Sequence, residues 1–338
     1  MTLRLPRFQY VGPRSLQEVV QVLSDEGSQA MVVAGGTDLY PNMKRRQFTP
    51  QTLVGLRGVS ELRGIDARSD GSLRLGSGAT LTQVAEHPKV RQSYGALSAA
   101  AALVSTPQLR NMGTIGGNVC LDTRCNWYNQ SAFWRKAMGY CMKLEGDICR
   151  VAHASPRCLA TFSADTVPAL IGYGASVRLV GAEGERSVPL SDLYQMDGME
   201  WMQIKPGEVL AEISVPDPDG LRAVYYKLRD RGSFDFPLAG VFVGVRTDSS
   251  GLVDRCRIVL TGVYSMPVAL EEAEKILAGA RLEADVIAAA AEAAYAASRP
   301  VDNTAGTIIQ RRRTIRVLVR RALEELAAGT PSGGALTV

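Results

Sequence analysis

The sequence predicts a mixed α+β protein with a two-part first domain, a cysteine-rich insertion and an α+β second domain. Three observations carry this prediction. Strand, glycine turn and helix start recur through the first half of the chain. Four cysteines crowd into one stretch, Cys125 to Cys158, that breaks this pattern. Strands followed in bulk by helices fill the last third. The expected boundaries are residues 1–60 and 61–218 for the two parts of the first domain, with the insertion at about 120–163. The second domain is expected at 219–328, and residues 329–338 as a disordered tail.

Each element has a local reason. Ser15 with Glu18 three residues on forms a capping box ahead of Leu16, Val19, Val20 and Leu23, which predicts an amphipathic helix over 15–26 closed by Gly27. The apolar run Ala30 to Ala34 predicts a strand. Gly35-Gly36-Thr37-Asp38-Leu39 then turns the chain, with Thr37 or Asp38 able to cap the next helix. Leu73-Arg74-Leu75-Gly76 alternates as a strand does, and Gly78 to Leu81 reads as a turn into a helix. An alanine-rich helix over about 96–104 stops at Pro107. After the cysteine segment, a helix at 168–171 and a strand at 176–180 resume the pattern. Strands are expected at 224–227, 239–245 and 257–260, and helices at 269–278, 283–297 and 305–327.

Composition narrows the function classes. The chain has 338 residues, 46% hydrophobic and 21% charged, and its net charge of +4 comes from 38 basic and 34 acidic residues spread along it. That balance argues against nucleic acid as a partner. The N-terminus lacks the apolar core of a signal peptide and no apolar run is long enough to cross a bilayer, so a cytoplasmic, non-membrane protein is expected. In that compartment, six cysteines are ligands or buried thiols rather than disulfides. With only His87 and His153, there is little material for a histidine metal centre or a Ser-His-Asp triad. The arginines at 311, 312, 313, 316, 320 and 321 are expected on a solvated or subunit-facing helix surface.

Two glycine loops carry the candidate ligand chemistry. Glycine lets backbone N–H groups approach phosphate oxygens, and a helix N-terminus adds a partial positive charge. Val33-Ala34-Gly35-Gly36-Thr37-Asp38-Leu39 and Gly113-Thr114-Ile115-Gly116-Gly117-Asn118 could each hold a pyrophosphate, although neither matches GxGxxG. Between the second loop and Asp165 lie Cys125, Cys141, Cys149 and Cys158, spaced Cys-x15-Cys-x7-Cys-x8-Cys. They read as a metal site. Zinc stays open from spacing alone, although no close CxxC pair is present. Cys120 falls outside the four-ligand spacing, and Cys256 is expected in the core.

The two loops, the segment Asp165 to Leu170, Val209 to Pro216 and Tyr226 to Arg229 together resemble the FAD-binding subunit of the xanthine oxidase family of molybdenum hydroxylases. The resemblance covers nearly the whole chain. It implies that both loops hold the flavin pyrophosphate, that Asp165 binds the adenosine portion, and that Leu210 and Lys227 lie beside the ring system. For Asp165 the bland alternative is a helix cap, and for Lys227 a solvated strand-edge lysine. The cysteine segment departs from typical members. With its flanks Asn118 to Cys125 and Trp127 to Gln130, it resembles the 4Fe-4S loop of the beta subunit of 4-hydroxybenzoyl-CoA reductase. That implies an electron relay without catalytic residues of its own. Its implied partners are ferredoxin or a similar carrier, a small 2Fe-2S subunit and a large molybdenum-cofactor subunit, in a dimer of heterotrimers. A molybdenum hydroxylase subunit serving another substrate is the nearer alternative, and a zinc-stabilised binding module the more distant one.

Overall fold

The computed structural model describes residues 3–329 and 333–337. The first lobe is a three-stranded parallel sheet of order β1-β3-β2, with β1 at Gln9–Val11, β2 at Ala30–Val33 and β3 at Thr52–Gly55. Helix α1 (Leu16–Glu26) buries Leu16, Val19, Val20 and Leu23, as its spacing predicts, and Gly27 ends it at φ 55°. Each buried aliphatic side chain contributes about 1.5–3 kcal/mol. The capping box forms only in half: Ser15 Oγ accepts from Glu18 N, but the Glu18 carboxylate accepts from Arg14 N at 2.7 Å. Helix α2 (Leu39–Lys44) follows the first glycine loop, and Asp38 precedes it without capping it through its side chain.

The second lobe is a five-stranded antiparallel sheet of order β4-β5-β8-β6-β7, comprising β4 (Ile65–Ala67), β5 (Leu73–Gly76), β6 (Ser176–Gly181), β7 (Gly184–Pro189) and β8 (Val209–Val215). Helices α3 (Leu81–Glu86), α4 (Pro88–Ser93), α5 (Gly95–Ala102), α6 (Pro107–Arg110) and α7 (Ile115–Val119) come between β5 and β6, followed by α8 (Ala132–Ala137) in the insertion and α9 (Thr166–Gly172). Pro107, expected only as a stop, also opens α6 at its first turn, where a missing N–H costs nothing. The lobe's core includes Tyr94, Tyr173 and Phe242, whose rings meet edge to face with centroids 5.3 Å apart in each pair.

Phe242 belongs to the third sheet, of order β12-β11-β10-β9-β13. Its strands are β9 (Arg222–Arg229), β10 (Ala239–Thr247), β11 (Val253–Thr261), β12 (Val268–Ala269) and β13 (Gly334–Thr337), and α10 (Glu271–Leu277), α11 (Ala284–Ala297) and α12 (Ile308–Ala327) cover one face. The two-residue period of β9 divides its side chains: Val224, Tyr226 and Leu228 join the helix-side core, whereas Tyr225 joins the second lobe's core. Lys227 therefore faces the second lobe.

Two expectations are corrected here. The tail expected to be disordered contributes β13 at Gly334–Thr337, parallel to β9, because β9 otherwise leaves an open edge of backbone donors and acceptors; residues 330–332 and 338 lie outside the described residues. Arg311, grouped with the solvated arginines, is fully buried. Its guanidinium donates to the carbonyls of Leu238, Val301 and Gly262, so backbone acceptors replace its water.

Candidate functional site

The two glycine loops meet. A Cβ on Gly35 would overlap the Met112 carbonyl, so its missing side chain permits the contact, and Gly113 lies beside Thr37. Their backbones differ in what they offer. In the first loop, the amides of Gly35, Gly36, Thr37 and Asp38 donate to no acceptor among the described residues. In the second, Ile115 N bonds Ala79 O, Gly116 N bonds Ser77 O and Gly117 N bonds the Thr114 hydroxyl at 3.0 Å. Asn118 Oδ1 accepts from Thr166 N and, at 2.6 Å, from the Thr166 hydroxyl, which ties this loop to the residue after Asp165. Among the described residues the second loop leaves only the Thr114 amide without an acceptor, whereas the first leaves a run of four.

Asp165 and Lys227 form a buried ion pair, Oδ2 to Nζ 2.9 Å. Tyr225 OH donates to the other carboxylate oxygen at 2.8 Å, and Lys227 also donates to Leu103 O at 3.0 Å. Burial pushes the Asp165 carboxyl above its ordinary range, and Lys227 opposes that shift. Neither bland alternative holds: Asp165 does not cap α9 through its side chain, and Lys227 has no exposed surface. Arg229, two residues along β9, is near enough to favour the Asp165 carboxylate, and its buried Nε has no partner among the described residues. Leu210 is buried on β8 and packs into the second lobe's core.

The four cysteines line one pocket but are not arranged as a metal site. Cys125, Cys141, Cys149 and Cys158 are free thiols, each at most 8% exposed, lining one small pocket with Trp127, Tyr128, Met142, Lys143, Arg150, Val151 and Ala160. Tight turns bring them there. Gly146 N reaches back to Cys141 O, and Gly139, Tyr140 and Glu145 have φ between 59° and 72°. Burial pushes the Cys125 thiol up to about 11 and the Cys158 thiol up to about 12. Among the described residues no three His, Cys, Asp or Glu side chains are arranged to hold a metal ion. Cys120 stays outside the pocket, and Cys256 is buried on β11 as expected.

Residues 6–218 match the family model of the FAD binding domain in molybdopterin dehydrogenase, and residues 224–326 match that of the CO dehydrogenase flavoprotein C-terminal domain. The chain belongs to this family of FAD-binding subunits. The aldehyde oxidoreductase FAD-binding subunit PaoB of Escherichia coli (strain K12) is 34% identical to it over 272 residues, spanning 78% of this chain and 84% of PaoB. The carbon monoxide dehydrogenase medium chain of Afipia carboxidovorans is 31% identical over 330 residues, spanning 95% of this chain and 97% of its own. Among solved structures, carbon monoxide dehydrogenase from Hydrogenophaga pseudoflava superposes with a TM-score of 0.79 at 29% identity, covering 97% of this chain and 100% of that one. Quinoline 2-oxidoreductase from Pseudomonas putida 86 superposes at 0.78 with 26% identity, over 97% and 100%. As in such relatives, the FAD-binding subunit is part of an oxidoreductase. No helix among its described residues is long and apolar enough to cross a membrane.

The sequence patterns missed the residues that join this subunit's two candidate sites. Arg124 donates to Asn42 Oδ1 at 2.8 Å and pairs with Asp38, so the residue before Cys125 grips the start of α2. Arg135 donates to the carbonyls of Arg45 and Arg46, each at 3.0 Å, at the other end of α2. Gln47 Nε2 donates to Tyr128 O at 2.9 Å. Their only sequence signal is that Arg124 adjoins a ligand-type cysteine.

Proposed function

We propose that this subunit relays electrons between an external carrier and the 2Fe-2S and molybdenum subunits of a heteromeric complex. FAD sits at the paired glycine loops, and Cys125, Cys141, Cys149 and Cys158 hold a 4Fe-4S cluster. The observation that carries the reading is the run of amides at Gly35 to Asp38 that have no acceptor among the described residues, set against a second loop in which all but the Thr114 amide are engaged. Such a run suits a pyrophosphate, which needs several donors converging at short range. Bound FAD exchanges electrons in ones or twos and a 4Fe-4S cluster singly, which is the chemistry of a relay.

The chain's own residues bind and position. Val33, Ala34 and Leu39 frame the donor run, and Gly113 and Thr114 to Asn118 form the opposing wall. Asp165 on the adenosine side, with Leu210 and Lys227 beside the ring, completes the proposed set. Because Asp165 and Lys227 already bond each other, their part is to hold one another in place. Four thiols lining one pocket support the cluster, since thiolates are its ligands.

Similarity of the cysteine segment to the beta subunit of 4-hydroxybenzoyl-CoA reductase supports a reductive direction, with ferredoxin as donor and a dimer of heterotrimers as assembly. The printed activities of the relatives, aldehyde oxidoreductase and carbon monoxide dehydrogenase, support a second reading in which the complex oxidises its substrate.

Quantifying iron, acid-labile sulfide, zinc and FAD in protein purified without oxygen tests the core of this. About four irons and one FAD per chain is the expected result. Zinc without iron would leave the flavoprotein but make the insertion structural, and a colourless protein would overturn the relay. Mixing the whole complex with reduced ferredoxin, and separately with candidate substrates, then distinguishes the two directions by which one bleaches the flavin.

A further inference from the structure

The cysteine pocket has a charged wall. Its lining includes the cations Lys143 and Arg150 and no carboxylate. Lys143 is held more firmly than an ordinary lysine. Its side chain is 5% exposed, and Nζ donates to Asp122 Oδ1 at 2.8 Å, Thr123 Oγ1 at 2.8 Å and Gly198 O at 2.5 Å. The ammonium also lies over the Tyr128 ring at 4.9 Å and the Trp201 ring at 4.8 Å. Three acceptors use all three of its protons, so it has none left for a sulfur. What remains is its field.

We propose that Lys143 is a potential-setting residue: a fixed buried cation that favours the reduced state of an iron-sulfur cluster on Cys125, Cys141, Cys149 and Cys158. This rests on the cluster reading above. One-electron reduction adds a negative charge to a group already ligated by four thiolates. A cation at the pocket wall, in a medium less polarisable than water, stabilises that added charge. Its counter-ion Asp122 is absent from the pocket lining to which Lys143 belongs, so it weakens the field without reversing it.

The test is a redox titration, followed by electron paramagnetic resonance, of the intact complex carrying each variant. Lys143→Met keeps the length of the side chain and removes the charge. It should retain iron and lower the reduction equilibrium constant at least ten-fold, which is 59 mV for one electron. Lys143→Arg should stay near the wild-type value, and Asp122→Asn should move the potential upward. Iron retained in Lys143→Met with an unmoved potential, or Lys143→Arg shifting as far as Lys143→Met, would overturn the role of the lysine alone. A wild-type protein without iron would overturn the cluster and this role with it. If Lys143→Met fails to load iron, the sign of the Asp122→Asn shift decides: a rise supports the proposal, and no change or a fall overturns it.

Discussion

Lys227 Nζ on β9 lies 2.9 Å from Asp165 Oδ2 at the start of α9, and this buried pair joins the third sheet to the lobe carrying the second glycine loop. Removing one partner leaves the other charged and dry. Lys227→Met should therefore cost about 3–5 kcal/mol of stability, whereas the double variant Asp165→Asn/Lys227→Met should recover much of that loss. Urea unfolding of the four proteins in the cycle measures the coupling. Purely additive losses would mean that the pair does not act as a unit.

Gly35 has no room for a side chain, because a Cβ there would overlap the Met112 carbonyl. Gly35→Ala should push the two loops apart and lower FAD content or raise the FAD dissociation constant at least ten-fold, with the rest of the fold retained. Fluorescence titration of flavin-stripped protein reads this directly. Gly95→Ala serves as the control, since that glycine, like Gly35, is not at positive φ and has nothing within contact distance of its Cβ.

Replacing Cys141 or Cys149 with Ser should abolish iron binding and leave FAD bound. Loss of both cofactors would show that the insertion also props the flavin loop. The route for such support is visible in Arg124 at one end of α2 and Arg135 at the other.

Arg124→Met separates these cases. It removes the link from the cysteine segment to Asp38 and Asn42 without touching a thiol. Weaker FAD binding with unchanged iron content is the expected outcome. Equal FAD affinity in the variant would show that the flavin loop keeps its shape unaided.

Arg311→Met should destabilise by about 2–4 kcal/mol, because the carbonyls of Leu238, Val301 and Gly262 lose their donor inside the core. Arg320→Ala, on the same helix and largely exposed, should stay within about 0.5 kcal/mol. Thermal unfolding of the two variants side by side measures the contrast.

Much of the fold was legible because its signals are local. The apolar spacing in α1, the alternation in β5 and the alanine-rich run of α5 depend on residues a few positions apart, and the structure follows them closely. The Asp38 side chain shows where such reasoning fails. It has the chemistry of a helix cap, yet Arg124, 86 positions away, takes its carboxylate. Arg311 fails likewise: within its arginine run it is indistinguishable from its exposed neighbours until the carbonyls around it are known.

The sequence alone determined the mixed α+β class, elements such as α1, β2, β5 and α5, and the crowding of four cysteines into one segment. Each is written in residue type and spacing. Only the tertiary structure decided that the first loop keeps a run of amides free while the second engages most of its own, that Lys227 faces inward onto Asp165, and that Lys143 fronts the thiols. Hydrogen bonds and ion pairs between distant segments depend on which surfaces pack together. Burial then makes each of those partnerships costly to break.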